Sequence, residues 1–332
     1  MANRELVLDN FRQLIKQIKI DIDNTTGKEQ LKNMYRLKSI DLARKIIEKN
    51  PDKIINLKEL EQIKGIGPGT IKRIEEIMKT GKLSEIKITK IDEAFLKIME
   101  ELEESYGIGK KTAYDLFKKH NIKSMEELKN KVDSGEILVN DIIKKGLKYV
   151  GKINIQIPHD EITEIHDFLM NNLFKIQVEL FGVVCGSYRR EKKTSGDVDF
   201  IVTHPKFKTK KDLDKYIHFF QAFLLKLKNE GFMIEFLTGA KVETKFMGIF
   251  KWKNIIGRID IRFIPYESYY YALLYFTGSK DFNTNMRLVA ISHGLKLNEY
   301  GLYHKSNKSF KVESEKDIFD LLEMEYIQPY LR

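Results

Sequence analysis

Residues 183–202 read V-V-C-G-S-Y-R-R-E-K-K-T-S-G-D-V-D-F-I-V, two apolar runs separated by a polar loop. The β-branched residues at each end predict two buried strands. Gly186 and Ser187 follow the first strand, where a backbone amide and a hydroxyl can approach a phosphate group closely. Asp197 and Asp199 are two residues apart on the second strand, so both side chains are expected on one face of the sheet. This stretch therefore predicts a phosphate-binding turn beside paired carboxylates.

Two neighbouring carboxylates repel each other unless cations lie between them, and hard oxygen ligands favour Mg²⁺. Arg189 or Arg190 can add a guanidinium that binds phosphate oxygens in a forked geometry. The run R-I-D-I-R at residues 258–262 supplies a third carboxylate, Asp260, with an arginine two residues away on either side. We expect these arginines to lower the pKa of Asp260 and keep it ionised. If the strands are adjacent, the three carboxylates converge on a two-metal site.

The composition of the chain excludes several classes of protein. Of its residues, 58 are Lys or Arg and 48 are Asp or Glu, a net charge of +10, and more than half of this excess lies in residues 1–90. This balance indicates a polyanionic partner. No run of about 18 apolar residues suggests a membrane span, and the first residues lack the apolar segment of a secretion signal. With a single cysteine, Cys185, we expect an intracellular protein, nuclear or viral, that is not secreted.

The first 150 residues predict helices, because apolar residues recur there at spacings of three and four. This region contains two G-I-G turns, at residues 65–67 and 107–109, each followed by basic residues. Glycine permits a tight turn, and the free N–H groups of the next helix suit a phosphate oxygen. Beyond about residue 151 the patterning predicts strands at 178–184, 197–203, 246–252 and 259–264 and long helices at 160–175 and 211–229.

Together these motifs resemble those of the family X DNA polymerases of the DNA polymerase beta type, from about residue 30 to the C-terminus. The resemblance is carried most specifically by C-G-S-Y-R-R-x-x-x-x-S-G-D-V-D, by E-T-K-F-M-G at 243–248, by R-I-D-I-R, and by Y-F-T-G-S-x-x-F-N-x-N-M-R at 275–287. The G-I-G turns resemble helix-hairpin-helix modules, whose turn carbonyls often hold a monovalent cation, Na⁺ or K⁺.

The resemblance implies an α+β multidomain fold. An all-α N-terminal region with two helix-hairpin-helix modules would precede a nucleotidyltransferase-type α/β palm and a small mixed α/β C-terminal subdomain. We expect boundaries at 1–88 for a DNA-end-binding domain, 89–150 for a second DNA-binding subdomain, 151–264 for the palm and 265–332 for the nucleotide-selecting subdomain. The length suits such an arrangement without an accessory domain.

The implied activity is gap filling in base excision repair, by transfer of a nucleotide from a dNTP to a primer 3′-OH. Two Mg²⁺ ions, for which Mn²⁺ can substitute, would be held by Asp197, Asp199 and Asp260. The residues implied at the nucleotide are Gly186, Ser187, Arg190, Gly196, Tyr275, Phe276, Gly278, Lys280 and Asn283. Those implied at the DNA are Arg36, Gly65, Gly67, Lys72, Arg73, Gly107, Gly109, Lys110, Lys111, Lys245, Arg258 and Arg287. The partner would be gapped or nicked DNA with a 5′-phosphate, bound by a monomer without a membrane.

Finer roles also follow from the resemblance. Residues 275–278 would line the nucleotide sugar and disfavour a 2′-OH. Asn283 and Arg287 would probe the minor-groove edge of the new base pair, which checks its shape rather than its identity. Arg262 would act as a conformational switch near Asp199. The family also carries a cis peptide at the position of Gly278-Ser279.

Several positions depart from the family pattern. Arg73 stands where family members with 5′-deoxyribose phosphate lyase activity have the lysine that forms a Schiff base, and an arginine stays protonated. Gly69 and Glu85 replace two further lysines. We therefore expect weak or absent lyase activity unless the adjacent Lys72 substitutes. Binding of a 5′-phosphate could survive through the basic residues Arg36, Lys64, Lys72 and Arg73.

Two more departures lie in the C-terminal half. Lys280 replaces an acidic residue near the base and predicts tighter, less discriminating nucleotide binding. Trp252, near the tip of a short hairpin, either packs across the hairpin or contacts DNA near the primer end.

Three other functions remain open. A weakly templated end-processing transferase is disfavoured by the short hairpin. A nucleotidyltransferase for a small molecule or RNA is disfavoured by the G-I-G turns and residues 275–287. A non-catalytic DNA-end-binding protein is disfavoured by the presence of all three carboxylates.

Overall fold

The computed structural model describes residues 2–25, 27–49, 57–63, 65–87, 90–153, 156–238, 243–304 and 309–332. Lys64, one of the predicted phosphate-binding residues, lies outside them. The chain divides into two compact units. The first comprises Met1–Glu104 with Ile108–Ile137, and the second comprises Ser105–Gly107 with Leu138–Arg332. The predicted division at residues 88, 150 and 264 is finer than this and stays a prediction.

The described part of the first unit consists of helices and turns. Its helices are α1 Ala2–Asn24, α2 Gly27–Lys49, α3 Leu57–Glu61, α4 Pro68–Thr80, α5 Lys90–Glu103, α6 Lys110–His120 and α7 Met125–Asp133. Val7, Phe11, Leu14 and Ile18 form a fully buried stripe along α1, as the helical period predicts. This stripe shares one core with α2 and α4. Ile66 is buried in the same core, which holds the first G-I-G turn in place.

The described part of the second unit combines helices with one five-stranded sheet and two short two-stranded ones. Its elements in chain order are α8 Asp141–Tyr149, β1 Ile157–Pro158, α9 His159–Ile176, β2 Phe181–Val184, α10 Gly186–Arg189, β3 Thr194–Ser195, β4 Val198–Thr203, α11 Lys210–Lys215, α12 Ile217–Asn229, β5 Met233–Phe236, β6 Lys245–Trp252, β7 Ile255–Phe263, α13 Tyr269–Thr277, α14 Lys280–Ser292, β8 Lys296–Asn298, β9 Gly301–Tyr303 and α15 Glu315–Leu321. Short 3₁₀ turns lie at Tyr266–Ser268 and Pro329–Leu331.

The five-stranded sheet has the order β2-β4-β7-β6-β5, and within it only β4 and β7 run parallel. Along β7, Ile259, Ile261 and Phe263 are buried. The alternate polar residues face the other way. The buried side of the sheet shares its core with α9 and α12. The apolar core on one face leaves the opposite face of β7 for polar side chains. On β4 that face carries Asp199 and then Ile201, which is buried in a second small core with Ala272 and Leu273.

The C-terminal elements α13, α14, β9 and α15 share a separate small core. The predicted bounds of several elements in the second unit need correction. The helix predicted over residues 211–229 is two helices, α11 and α12, separated at Tyr216. The strand predicted from residue 178 begins at Phe181, the one predicted from Asp197 begins at Val198, and the one predicted from residue 259 begins at Ile255. Among the residues that the structure describes, no helix has the length and apolar character needed to span a bilayer.

Candidate functional site

The predicted phosphate-binding turn joins β2 to α10. α10 begins at Gly186, which has a φ of +58°, a conformation that glycine adopts at little cost. A Cβ at this position would stand 2.8 Å from Oδ2 of Asp199, so the turn passes directly over that carboxylate. The backbone N–H of Cys185 donates to the carbonyl oxygen of Asp199 at 2.7 Å. The turn is therefore anchored against β4.

The two arginines of this turn have different partners. Arg190 donates to Oγ of Ser187 at 3.1 Å and to the carbonyl oxygen of Thr277. Arg189 donates to Oγ1 of Thr277 at 2.6 Å and pairs with the buried carboxylate of Glu315 at 2.5 Å. Arg190 also lines the cleft described below. Arg190 is therefore the arginine of this turn that faces the cleft.

The three predicted carboxylates lie around the start of β4 and the adjoining part of β7. Asp199 and Asp260 are register partners on these parallel strands, so their side chains are neighbours on one face. Asp197 precedes β4, and its carboxylate accepts a hydrogen bond from Arg258. Nε of Arg258 lies 3.9 Å from Oδ1 of Asp260. Arg258 therefore stands between two of the three carboxylates.

The protonation of these carboxylates differs from the expectation. Burial, together with the charges of Asp197 and Asp260, raises the pKa of Asp199 to about 7, against the opposing effect of Arg258 and Arg262. Burial also raises the pKa of Asp260, although Arg258 acts to lower it. The prediction that flanking arginines would lower the pKa of Asp260 is therefore wrong. The loss of hydration within the sheet outweighs their attraction.

The three carboxylates have the ligand chemistry that a divalent cation needs. Their positions, however, suit such an ion only in part. Oδ1 of Asp260 is buried and has no hydrogen-bond partner in the described part of the chain. Carboxylate oxygens are ligands of the kind that Mg²⁺ prefers. Within the described residues, however, no three His, Cys, Asp or Glu side chains are gathered closely enough to hold an ion. The two strands are adjacent as expected, which makes Asp199 and Asp260 neighbours, but Asp197 is bound to Arg258 and does not converge with them. Asp197 would have to exchange Arg258 for a metal.

A cleft of about 560 Å³ opens beside the turn. It is lined by Gly186, Ser187, Arg190, Asp197, Asp199, Tyr275, Phe276, Gly278, Lys280, Asn283, Thr284 and Arg287. This set contains every residue predicted at the nucleotide except Gly196, and it includes Arg287, which was assigned to the DNA. Asp260 does not line it. Thr284 was missed, although its spacing from Lys280 and Arg287 puts it on the same face of α14.

Contacts within the second unit orient the far wall of this cleft. Nδ2 of Asn283 donates to the carbonyl oxygen of Tyr275 at 2.7 Å. The guanidinium of Arg287 lies 5.0 Å from the centre of the Tyr275 ring. That of Arg262 lies 5.5 Å from the centre of the Phe276 ring. These contacts tie α14 and β7 to the end of α13.

The junction between α13 and α14 is a tight turn. Gly278 has a φ of +71°, and the peptide bond between Gly278 and Ser279 is cis, as the family resemblance implies. Oγ of Ser279 accepts from the N–H of Phe282 at 3.4 Å and caps α14. The cap leaves Lys280 at the start of the helix, on the lining of the cleft.

A second cavity, of about 570 Å³, lies in the first unit beside the first G-I-G turn. It is lined by Arg36, Ser39, Ile40, Gly65, Ile66, Gly67, Gly69, Thr70 and Arg73. Four of the residues predicted at the DNA therefore meet here. Lys72, by contrast, is exposed and is not part of this lining.

The two G-I-G turns have nearly the same backbone. Their first glycines, Gly65 and Gly107, have φ angles of +106° and +89°. Their second glycines, Gly67 and Gly109, have φ and ψ of −108° and 171°, and of −98° and 175°. Each second glycine is the N-cap of the next helix, and the two lysines that open α6 are exposed. The repeat seen in the sequence is therefore a repeat of conformation.

Family models match most of the chain. Residues 156–266 match the model described as DNA polymerase beta palm, residues 272–332 the DNA polymerase beta thumb, and residues 10–83 a helix-hairpin-helix domain. The chain belongs to the family X DNA polymerases. The predicted fold class, with a helical N-terminal region before the palm, is confirmed by the same matches.

Three relatives place the chain within family X. It is 32% identical over 309 residues to DNA polymerase lambda of Arabidopsis thaliana, an alignment that covers 86% of this chain and 56% of that protein. It is 28% identical over 293 residues to DNA polymerase lambda of Rattus norvegicus, with coverages of 83% and 48%. It is 26% identical over 328 residues to DNA nucleotidylexotransferase of Xenopus laevis, with coverages of 87% and 62%. The chain thus spans about half the length of these relatives.

One buried charge cluster of this family X chain was not predicted from its sequence. Glu315 pairs with Arg189 and also with Arg332, whose Nη1 lies 2.7 Å from the carboxylate. Nε of Arg332 donates to the carbonyl oxygen of Ile327 at 2.8 Å. The side chain of Arg332 is fully buried and that of Glu315 is 5% exposed. Nothing in the local sequence marks Glu315, because its partners are distant along the chain.

The contacts of Trp252, near the tip of the hairpin formed by β6 and β7, bear on its two interpretations. Its indole N–H donates to Glu161 of α9 at 3.1 Å, and its ring packs against Phe168. The next residue, Lys253, pairs with Glu161 and Glu164 at 3.1 and 2.5 Å. The tip is therefore held on α9, and the structure favours the packing interpretation.

Lys245, predicted at the DNA, is exposed on β6. It is the register partner of Arg262 on β7. Its positive charge acts to lower the pKa of Asp260. Lys245 therefore lies on the face of the sheet that carries Asp260 and Arg262.

Proposed function

We propose that this chain is a DNA-directed DNA polymerase of the repair type, which fills short gaps by transferring a nucleotide from a dNTP to a primer 3′-OH. The observation that carries the proposal is the parallel register of Asp199 with Asp260, beside a cleft that also holds Arg190 and α14. Phosphoryl transfer needs positioning and charge neutralisation more than covalent chemistry from the protein. Carboxylates next to phosphate-binding groups meet that need, and family membership supports the same reaction.

The turn at residues 186–190 would bind the β- and γ-phosphates. Two hydrogen bonds, to Ser187 and Thr277, already orient the guanidinium of Arg190. A pre-oriented guanidinium binds phosphate oxygens with less loss of conformational freedom. Gly186 would let the backbone approach these oxygens closely, and Gly196 would lie beside the triphosphate.

Asp197, Asp199 and Asp260 would hold two Mg²⁺ ions, with Mn²⁺ as a substitute. When bound, the ions would neutralise phosphate oxygens and the developing charge on the 3′-oxygen. The hydrogen bond between Asp197 and Arg258 would be given up on metal binding, which makes Arg258 available to the primer terminus. Asp260, buried behind the lining of the cleft, would face the same terminus from β7.

The far wall of the cleft would select the nucleotide. Tyr275 and Phe276 lie where a sugar would pass, and a bulky wall there disfavours a 2′-OH. Asn283 and Arg287 lie on one face of α14, from which they would probe minor-groove acceptors shared by all correct base pairs. Lys280 adds a positive charge at the start of α14, which supports tighter nucleotide binding with less discrimination.

The helix-hairpin-helix turns would grip the DNA backbone without reading bases. Gly65 and Gly67, and in the second turn Gly107 and Gly109, would each hold a monovalent cation, Na⁺ or K⁺, through their carbonyl oxygens. The lysines at residues 110–111 would neutralise backbone phosphates. The substrate would be gapped or nicked DNA, bound by a monomer.

An intracellular site of action, nuclear or viral, stays a prediction.

A 5′-phosphate would bind in the cavity lined by Arg36 and Arg73, and lyase activity would be weak or absent. The guanidinium of Arg73 cannot form a Schiff base. Lys72 is exposed outside the lining of the cavity. Borohydride trapping on an incised abasic site tests this proposal, and efficient trapping through Lys72 would overturn it.

Primer extension on a one-nucleotide gap with a 5′-phosphate tests the polymerase proposal. We expect the wild type to insert one templated nucleotide with Mg²⁺ and to stop when the metal is chelated. Asp260→Asn should lower kcat by about 10³-fold or more, since it removes a charge at the reacting centre. Glu267→Gln removes an exposed carboxylate near the same strand and should extend normally. Equal extension by wild type and Asp260→Asn would contradict a mechanism that depends on the carboxylate of Asp260.

The similarity to a DNA nucleotidylexotransferase keeps an end-processing transferase as the second candidate. The hairpin tip held on α9 by Trp252 and Lys253 argues against a free loop at the primer end. Extension of a single-stranded primer without template separates the two. Untemplated addition as fast as gap filling would favour the transferase, and DNA binding without any extension would favour a non-catalytic end binder.

A further inference from the structure

The cavity beside the first G-I-G turn has two arginines that share one carboxylate. Glu85 accepts from Nη2 of Arg36 at 2.6 Å. It also accepts from Nε and Nη2 of Arg73, the latter at 3.3 Å. The Nη1 atoms of both arginines face other acceptors. Nη1 of Arg73 donates to the carbonyl oxygen of Gly69 at 3.1 Å, and Nη1 of Arg36 lies 3.6 Å from Asp21.

This cluster is electrically balanced, with two guanidinium groups against two carboxylates. Burial acts to raise the pKa of Glu85, but the hydrogen bonds and charges of Arg73 and Arg36 outweigh it and hold the pKa below its usual range. Glu85 therefore stays ionised at neutral pH. The side chains of Arg36, Arg73 and Glu85 are 29%, 25% and 29% exposed, so an anion arriving from solvent can reach them.

A terminal phosphate would find its two arginines already bound to a carboxylate. Phosphate and carboxylate oxygens use the same fork of guanidinium N–H groups. A phosphate that binds beside Glu85 is repelled by it, and one that replaces it must break three hydrogen bonds. Either route costs affinity. When Glu85 is displaced, the cost is better repaid by a terminal phosphate, with nearly two charges, than by the single charge of an internal phosphodiester.

We propose that Glu85 is an internal competitor for Arg36 and Arg73 that lowers the affinity of this cavity for a 5′-phosphate. The proposal rests on the proposed 5′-phosphate site and adds to it a residue that opposes binding. It assigns Glu85 a role in tuning the release of the DNA end.

The test compares Glu85→Gln with wild type as full-length chains, by fluorescence anisotropy on one-nucleotide gapped DNA. The downstream strand carries either a 5′-phosphate or a 5′-hydroxyl. Removing one negative charge next to the phosphate should tighten binding of the 5′-phosphate DNA about five- to tenfold. Binding of the 5′-hydroxyl DNA should change less than about twofold. Glu75→Gln is the matched control, because it removes an exposed charge from α4, and it should bind like wild type.

The outcomes separate this inference from the proposed site. If wild type prefers 5′-phosphate DNA and Glu85→Gln binds it no more tightly, the competitor role is wrong. If neither protein distinguishes 5′-phosphate from 5′-hydroxyl, the phosphate site and the competitor role both fall. If Glu85→Gln does not fold, Glu85→Asp tests the proposal instead. Its shorter side chain keeps the negative charge but can no longer contact both arginines. It should bind 5′-phosphate DNA more tightly than wild type, and equal or weaker binding overturns the proposal.

Discussion

At the scale of single residues, the cleft depends on contacts between positions that are distant along the chain. Gly186 is a glycine for two independent reasons: its φ is positive, and a Cβ would meet the carboxylate of Asp199. The motif G-S-Y-R-R predicted a close approach of the backbone to a phosphate, but neither of these two properties. Likewise, the alternation in R-I-D-I-R placed Asp260 on a polar face correctly. Its pKa was mispredicted, because burial depends on neighbouring strands that the pattern does not show.

Gly186→Ala should therefore damage function more than stability. The positive φ costs about 1–2 kcal/mol for a residue with a Cβ. The new methyl group would also push the carboxylate of Asp199 away from the proposed metal site. We expect kcat/KM for nucleotide insertion to fall at least about tenfold, measured by single-nucleotide gap filling.

Gly231→Ala provides the control for this substitution. Gly231 has a φ of +75° and open space where a Cβ would stand. It should lose a similar amount of stability while keeping its insertion rate. An equal loss of activity in the two variants would show that backbone strain, and not contact with Asp199, is responsible.

At the scale of elements, the parallel pairing of β4 with β7 brings the candidate site together. The sequence predicted both strands and the face on which each carboxylate lies, since alternation is a local property. It could not predict that Asp199 and Asp260 would be register partners, because strand pairing joins residues about sixty positions apart. The same holds for the hairpin tip. The sequence predicted that the hairpin is short, but it could not predict that Trp252 bonds to Glu161 of α9.

Substitutions at Trp252 test this attachment. Trp252→Phe keeps an aromatic ring on Phe168 but loses the hydrogen bond to Glu161, so it should cost about 1 kcal/mol of unfolding free energy. Trp252→Ala also loses the ring and should cost about 3 kcal/mol. Urea denaturation measures both, and affinity for gapped DNA should stay within about twofold for Trp252→Phe. A large loss of DNA affinity without a loss of stability would restore the DNA-contact interpretation.

At the scale of the whole molecule, the buried Glu315 joins parts of the second unit that lie far apart in the sequence. It links Arg189 of the phosphate-binding turn to the C-terminal residue, Arg332. Arg189 also holds Thr277, whose carbonyl oxygen accepts from Arg190. A continuous series of polar contacts therefore runs from the end of the chain to the proposed phosphate site.

Breaking this network should affect both folding and nucleotide binding. Glu315→Gln leaves the fully buried Arg332 and the partly buried Arg189 without their counter-charge, which should cost about 3 kcal/mol of unfolding free energy. KM for dNTP should rise about fivefold or more, because Arg190 loses support through Thr277. Glu325→Gln removes an exposed carboxylate near the same C-terminal segment and should stay within about 0.5 kcal/mol of wild type. If Glu315→Gln were as stable as wild type, these polar contacts would make no net contribution to the free energy of unfolding.

The sequence by itself determined the order of helical and mixed regions, the two G-I-G turns, the polar face of each strand and the identity of the candidate carboxylates. Each of these depends on spacing along a few residues, because helix and strand periods and the freedom of glycine are local properties. Only the tertiary structure decided that Arg190 rather than Arg189 faces the cleft and that Arg258 separates Asp197 from Asp260. It alone decided that Glu85 and Glu315 each join two arginines. These outcomes depend on burial and on which distant charges meet, and only the packed chain determines both.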